Sequence, residues 1–133
     1  MPMPETPGGD TGARKRLGAS GERVAAGWLE ARGYHIVARN WRCPYGELDL
    51  VAEHDGELVF VEVKSRRGLG HGAPEEAVTP AKRRRLIAAA QSYLAEAALE
   101  DHPYHIDIVA VDLGPAGAFH GVRHFPRSIE AEE

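Results

Sequence analysis

The stretch "GELDLVAEHDGELVFVEVKS", Gly46–Ser65, decides the fold, because it places carboxylates and a lysine inside two runs that otherwise have the composition of hydrophobic strands. Glu47–Ala52 and Leu58–Lys64 are the predicted strands. Asp55 and Gly56 between them are typical of a two-residue hairpin turn with positive φ. Charged groups in a sheet that is hydrophobic on both faces cost free energy unless they are paired. The stretch is therefore either a costly structural arrangement or a functional site.

The predicted turn fixes the register of the hairpin. Asp49 then lies opposite Glu62. Two residues further along, Glu47 lies opposite Lys64, and all four side chains project from one face. Directly opposed carboxylates repel each other unless one is protonated or a cation lies between them. Since Mg²⁺ binds one or two carboxylates together with water and phosphate oxygens, Asp49 and Glu62 predict a divalent metal site.

The other face of the hairpin is predicted to be purely apolar and to pack against a helix. Its members are Leu48, Leu50, Val59, Val61 and Val63.

A structural alternative remains for each of these charged groups. Asp49 and Glu62 could form an ion-pair cluster with Lys64 and Arg66, without any metal. Glu47 could pair with Lys64 alone.

Outward from the hairpin, periodicity and capping signals predict two helices and three further strands. The first helix begins at Ser20 and stops at Gly33, and the second begins at Thr79-Pro80. The other strands are Tyr34–Trp41, Ile106–Leu113 and a weaker edge strand at 119–125. The sequence thus predicts an α/β fold in the order α-β-β-β-α-β-β, with a central mixed β-sheet flanked by helices.

A chain of 133 residues with 43% hydrophobic residues is the size of one domain. We expect the domain to span residues 14–127, between a disordered N-terminal tail, 1–13, and an acidic C-terminal tail, 128–133.

The single cysteine, Cys43, fits a reducing compartment. No stretch resembles a signal peptide or a membrane span, so we expect a cytoplasmic protein without a membrane partner. The histidines show no zinc-binding spacing, although His120 and His124 would share a strand face.

The net charge of −4 taken alone argues against nucleic acid as a partner. The basic residues are clustered, however, and a locally basic face would still contact phosphates. The alternative is that these clusters are ordinary solvated surface. The candidate phosphate contacts are Arg66 and Arg67 after the hairpin, and Lys82, Arg83, Arg84 and Arg85 in the second helix.

Asp49 followed by Glu62-Val63-Lys64 resembles the D…ExK core of the PD-(D/E)XK nuclease superfamily. The longer string "GELDLVA…LVFVEVKSR", with "GERVAAGWLEARGY" before it, resembles the YraN-type bacterial family, whose fold is similar to archaeal Holliday junction resolvases. The resemblance covers roughly Arg14 to Leu113. It implies a restriction-endonuclease-like core.

The resemblance also implies roles for individual residues. Asp49, Glu62 and the Val63 carbonyl match the ligands of Mg²⁺ or Mn²⁺, and Lys64 matches the lysine that orients or activates water. Glu22 matches a further acidic residue directed into the same catalytic site, with an exposed helix residue as the alternative. In the family pattern an Arg or Lys and a hydrophobic residue precede an Asp. Asp107 matches this Asp, and His105 departs from the pattern because it stands where the Arg or Lys is expected.

Two function classes follow. The first is a metal-dependent endonuclease acting on branched or single-stranded nucleic acid, with DNA a better candidate than RNA. The second is a nucleic-acid-binding or protein-interaction module that keeps a nuclease-like fold without cleaving. Because junction resolvases make two symmetric cuts, the resemblance also implies a homodimer.

Overall fold

The computed structural model describes residues 9–67, 78–114 and 119–130. Five strands form one sheet in the order β1-β2-β3-β4-β5, in which β3 and β4 are parallel and the other neighbours antiparallel. The predicted mixed sheet, its element order and the edge position of the last strand are confirmed. The elements are α1 (Gly9–Glu30), β1 (His35–Cys43), β2 (Gly46–His54), β3 (Glu57–Arg67), α2 (Pro80–Glu96), β4 (Tyr104–Leu113) and β5 (Phe119–Ile129).

The central hairpin has the predicted turn and register. Asp55 and Gly56 have φ values of 50° and 79°, as a two-residue turn of this kind requires. The β2–β3 pairs run from His54↔Glu57 to Leu50↔Val61 in the predicted register.

The two helices cover opposite faces of the sheet. On one face, α1 buries Ala25, Ala26 and Leu29 against a layer formed by Leu50, Ala52, Val59, Val61, Val109, Val111 and Leu113. On the other face, α2 buries Leu86, Ala89, Ala90 and Leu94 against Leu48, Val51, Leu58, Phe60, Ile106 and Ile108. The helix predicted over the apolar face of the hairpin is therefore α1.

The predicted position of Leu48 was wrong. We expected Leu48 to share a face with Leu50, but Leu48 packs with Val51 on the α2 side while Leu50 packs on the α1 side. Strict alternation along β2 is thus interrupted next to Asp49. The neighbouring strand is irregular at the same level, where Asn40 has a φ of 51°.

The helix starts were predicted unequally well. Thr79 caps α2 as expected, because its side chain accepts a hydrogen bond from the Lys82 backbone N–H and Pro80 follows it. The first helix begins at Gly9 rather than at Ser20, so the Ser20 cap was wrong.

At the other end of the domain, β5 continues to the buried Ile129. Neither helix combines the length and the apolar character that a membrane crossing requires, within the described residues.

Asp107 holds β4 and β5 together from a fully buried position. The Arg127 backbone N–H donates to its Oδ1 over 2.9 Å, and His124 Nε2 lies 2.6 Å from its Oδ2. His105 contacts the same carboxylate through Nδ1 and lies 3.4 Å from Glu57 Oε2 through Nε2. Burial alone would raise the pKa of Asp107, but these hydrogen bonds together lower it. His105, which departs from the family pattern, thus belongs with Asp107 to a structural cluster of hydrogen bonds.

Candidate metal centre

The candidate site lies where β2 and β3 separate. The described β2–β3 backbone pairing ends at Leu50↔Val61, one position before the predicted pair of Asp49 and Glu62. Beyond that point the Val63 backbone N–H donates to Asp49 Oδ2 over 2.8 Å. The Asp49 carboxylate thus accepts the hydrogen bond that a backbone carbonyl of β2 would accept in a regular sheet. This hydrogen bond fixes the orientation of the Asp49 side chain beside β3.

Glu62 is the neighbour that most affects the ionisation of Asp49. Burial, a hydrogen bond with Glu62 and repulsion from that carboxylate together raise the pKa of Asp49 to about 9, against the weaker opposing effect of the Val63 N–H. Without a cation, Asp49 therefore keeps its proton at neutral pH. This is the repulsion predicted from the hairpin, relieved by protonation.

Glu22 reaches the same place from α1. The pKa of Glu22 is raised. Burial is the largest cause, repulsion from Glu47 and Glu62 also raises the pKa, and a hydrogen bond with Asn40 lowers it. The preceding Gly21 is buried, and a β-carbon built on it would overlap with the side chain of Ser65 on β3. The absence of a side chain at Gly21 lets α1 approach the sheet closely enough to place Glu22 over the site.

Glu47 is a further acidic group at this site. One carboxylate oxygen from each of Glu22, Glu47 and Asp49 lies within 4.8 Å of the others. The alternative in which Glu47 forms an ion pair with Lys64 is not observed among the described residues, where Glu47 Oε2 lies 3.6 Å from Arg42 Nε. Irregular β2 geometry next to Asp49 accounts for the difference, since the regular register does not continue to Glu47.

Lys82 brings a positive charge into the acidic cluster. Its Nζ lies 3.1 Å from Glu62 Oε2, and the Glu62 side chain is only 6% exposed. The contact is an ion pair and not a hydrogen bond, and Glu62 Oε2 has no hydrogen bond from any residue that the structure describes. A buried carboxylate oxygen with an unused lone pair is a position where a divalent cation fits the donors present.

A pocket of about 230 Å³ is lined by Glu47, Asp49, Glu62 and Lys82. Acidic side chains come from β2 and β3, and two basic ones, Lys82 and Arg85, come from α2. Its other walls are formed by Tyr45, Gly46 and Leu86. Opposite charges on two walls suit a ligand that carries phosphate oxygens and a metal ion together.

The remaining predicted site residues lie around this pocket. Lys64 is half-buried on β3, two residues after Glu62, and is not part of the pocket lining. Arg66 is half-buried further along β3, and the side chain of Arg67 lies outside the described residues. Arg83 and Arg84 are exposed on α2 and line a separate groove of about 530 Å³.

Sequence reasoning missed the location of Lys82. It grouped Lys82 with the three following arginines as one phosphate-binding run, whereas the structure distributes the four residues around α2. A signal was available, because Lys82 precedes the buried Leu86 by four residues and Ala89 by seven, which places it on the core-facing side of the helix.

Similar proteins are found over most of the chain. A UPF0102 protein of Roseiflexus castenholzii is 48% identical over 121 residues, which cover 90% of this chain and 98% of the relative. Relatives in Symbiobacterium thermophilum and Beutenbergia cavernae, also UPF0102 proteins, are 52% and 54% identical and cover 77% and 80% of this chain and 87% and 90% of their own.

Among solved structures, the chain is similar to SfsA of Pyrococcus furiosus in complex with Ca²⁺. The identity is 19% and the TM-score 0.40, with 89% of this chain covered. This chain spans 65% of the SfsA chain.

The profile of the family described as "Uncharacterised protein family UPF0102" matches residues 21–111, which include Glu22, Glu47, Asp49, Glu62 and Lys82. The match covers more than half of the chain and agrees with the YraN-type resemblance of the sequence. This chain belongs to the UPF0102 family.

Proposed function

We propose that this protein is a metal-dependent endonuclease that hydrolyses phosphodiester bonds in branched or single-stranded nucleic acid. The observation that carries the proposal is the contact between Asp49 and Glu62, with a buried Glu62 oxygen that has no hydrogen bond within the described residues. Two neighbouring carboxyl groups, one of them with a raised pKa, in a pocket with basic side chains are typical of catalytic sites. The D…ExK resemblance supports the same reaction.

Asp49, Glu62 and the Val63 carbonyl would hold Mg²⁺ or Mn²⁺, with Glu22 and Glu47 near enough to contribute. The bound ion would polarise the scissile phosphate and favour formation of hydroxide from water. The Val63 N–H holds Asp49 in place for this task. Lys64 is proposed to orient the attacking water and to stabilise developing negative charge.

Nucleic acid, with DNA preferred over RNA, would approach from the side of α2. Lys82 and Arg85 already border the acidic pocket, and the exposed Arg84 lies beside them. Arg66, Arg67 and Arg83 extend the proposed set of phosphate contacts. These basic side chains would form a locally positive surface on a protein whose net charge is −4. The affinity for nucleic acid should therefore fall as the salt concentration rises. Cytoplasmic location and a homodimer belong to the same proposal.

A cleavage screen tests the proposal. Purified protein is incubated with Mn²⁺ or Mg²⁺ and end-labelled substrates: a four-way junction, a flap, a single strand, and a perfect duplex. We expect weak, metal-dependent cleavage of at least one branched or single-stranded substrate and none by Asp49→Ala. If the wild type cleaves none of them, or if Asp49→Ala cleaves equally well, the endonuclease proposal fails.

The ion pair between Lys82 and Glu62 favours a second candidate, a non-catalytic module on the same fold. In that case Lys82 neutralises Glu62 permanently, as a structural residue. Mn²⁺ would then leave the melting temperature of the wild type unchanged, whereas a metal site predicts an increase.

A further inference from the structure

Tyr45 is the most exposed large hydrophobic side chain in the part of the chain that the structure describes. Its exposed fraction is 53%, against 37% for Val37 and 36% for Leu99. A single exposed apolar residue is common on protein surfaces and needs no function. The location of Tyr45, however, sets it apart from the other two.

Tyr45 forms part of the wall of two adjacent pockets. One is the acidic pocket of about 230 Å³, and the other is a pocket of about 380 Å³ against α2. Arg85 also borders both. A ligand bound in the second pocket would therefore lie directly beside the candidate metal centre.

The second pocket combines an aromatic ring, small side chains and two positive charges. Ala81, Arg84, Arg85 and Ala88 line it at intervals of three, four and seven residues, so they form a single face of α2. The two alanines are small, which leaves room in the pocket that Tyr45 also lines. The two exposed arginines offer guanidinium groups, which pair with phosphate and stack on aromatic systems.

The Tyr45 backbone is held by its neighbours in the turn between β1 and β2. Pro44 before it has a restricted φ, and Gly46 after it has a φ of 138°, which side-chain-bearing residues rarely adopt. A ring on such a turn loses little conformational freedom when a ligand stacks on it.

We propose that Tyr45, Arg84 and Arg85 form a binding site for an unpaired nucleotide next to the phosphate that the acidic pocket receives. The base stacks on the Tyr45 ring, and the arginines contact its flanking phosphates. In a duplex the faces of the bases are covered by their neighbours, so only a single-stranded, frayed or extruded nucleotide can occupy this site. The inference rests on the proposed function and specifies its substrate as nucleic acid unpaired at the site of cleavage.

The test measures binding without cleavage. Fluorescence anisotropy with EDTA present compares a labelled oligothymidine strand with a blunt-ended, loop-free duplex of the same number of phosphates. We expect Tyr45→Ser to weaken binding of the single strand about tenfold, with duplex affinity changed less than about twofold. Tyr45→Phe keeps the ring and should bind as the wild type does, and Leu99→Ser removes an exposed apolar residue from a distant surface as a control.

Salt dependence separates stacking from charge. Tyr45→Ser should leave the slope of log affinity against log salt unchanged, whereas Arg84→Gln and Arg85→Gln should each reduce it by about 0.7 for a single strand. The inference is overturned if Tyr45→Ser binds the single strand as tightly as the wild type, if both substrates weaken equally, or if the wild type binds neither. Selective loss of single-strand binding without any cleavage by the wild type supports this site and removes only the endonuclease proposal.

Discussion

Gly21 on α1 and Ser65 on β3 approach so closely that a β-carbon on Gly21 would overlap with the Ser65 hydroxyl. This contact determines how near α1 lies to the sheet. Because Glu22 is the next residue, the same contact sets the position of one carboxylate of the candidate metal centre. Close packing of α1 on β3 therefore depends on Gly21, and the candidate metal centre uses the carboxylate of the adjacent Glu22.

Gly21→Ala should destabilise the protein by about 1–3 kcal/mol, because the new methyl group overlaps with the Ser65 side chain, which must rotate or move away together with its strand. Gly27→Ala on the same helix is the matched control. Apart from its chain neighbours and the backbone of its own helix, no atom lies within 4 Å of the new β-carbon, so this change should stabilise by roughly 0.5–1 kcal/mol. Urea denaturation measures both. Adding Ser65→Ala to Gly21→Ala should restore part of the loss, and equal stability of the two alanine variants would contradict the proposed close packing.

The stability of the metal-free protein should fall as pH rises from about 4 to about 9. Asp49 has a raised pKa in the folded state, to about 9, so over this range the folded protein holds a proton that the unfolded chain, with a carboxyl pKa near 3.9, has lost. Asp49→Asn removes this proton linkage, and its stability should depend less on pH. Urea denaturation in EDTA at several pH values measures the difference. Parallel curves for the two proteins would mean that Asp49 is ionised in the fold.

With Mn²⁺ present, the fall in stability with rising pH should become smaller. The metal binds the deprotonated carboxylates, so its affinity rises as protons are released. The Mn²⁺-induced rise in melting temperature should therefore be greater at high pH than at low pH, and Asp49→Asn should lose most of it. A rise that is independent of pH and survives in Asp49→Asn would place the bound metal elsewhere.

Features encoded locally were predictable from the sequence. The Asp55-Gly56 turn alone fixed the register of five residue pairs, and Thr79-Pro80 fixed the start of α2, because turn and cap geometry depend on a few neighbouring residues. The candidate pair of Asp49 and Glu62 followed from that register.

Features that depend on tertiary packing were not predictable in the same way. The side of the sheet chosen by Leu48 depends on an irregularity that β2 shares with β1, where Asn40 has a positive φ. The contact of Lys82 with Glu62 depends on where α2 lies over the sheet. The structural role of Asp107 had little local signal apart from the nearby His105, because its partners His124 and Arg127 come from a strand that pairs with β4 only in the fold.

Asp107→Asn should destabilise the protein by about 1–3 kcal/mol at neutral pH, since the buried carboxylate accepts three hydrogen bonds. The lowered pKa of Asp107 means that its contribution is complete above the unfolded value near 3.9 and is lost as pH falls toward the lower folded value. The variant should therefore lose this component of acid sensitivity. Asp112→Asn, which breaks a more exposed ion pair with Arg123, is the control and should cost less than about 1 kcal/mol. Equal losses in the two variants would show that Asp107 has no special structural role.

Lys82→Met should make the protein respond more strongly to metal. In the metal-free protein the ammonium group lies against Glu62, so an incoming cation must compete with it for that carboxylate. Removing the charge while keeping a side chain of similar length should tighten Mn²⁺ binding by roughly fivefold, equivalent to about 1 kcal/mol, and increase the Mn²⁺-induced rise in melting temperature.

Lys64→Met provides the comparison, because Lys64 lies on the same strand as Glu62 but outside the pocket lining. It should leave the Mn²⁺ response unchanged and abolish cleavage, since its proposed contribution is confined to the transition state. Calorimetric titration with Mn²⁺ and thermal melting, each in both variants, measure the effect without requiring activity. If Lys82→Met binds Mn²⁺ as the wild type does, Lys82 does not compete with the metal. If it binds more weakly, Lys82 supports the metal site, and its contact with Glu62 persists when the ion is bound.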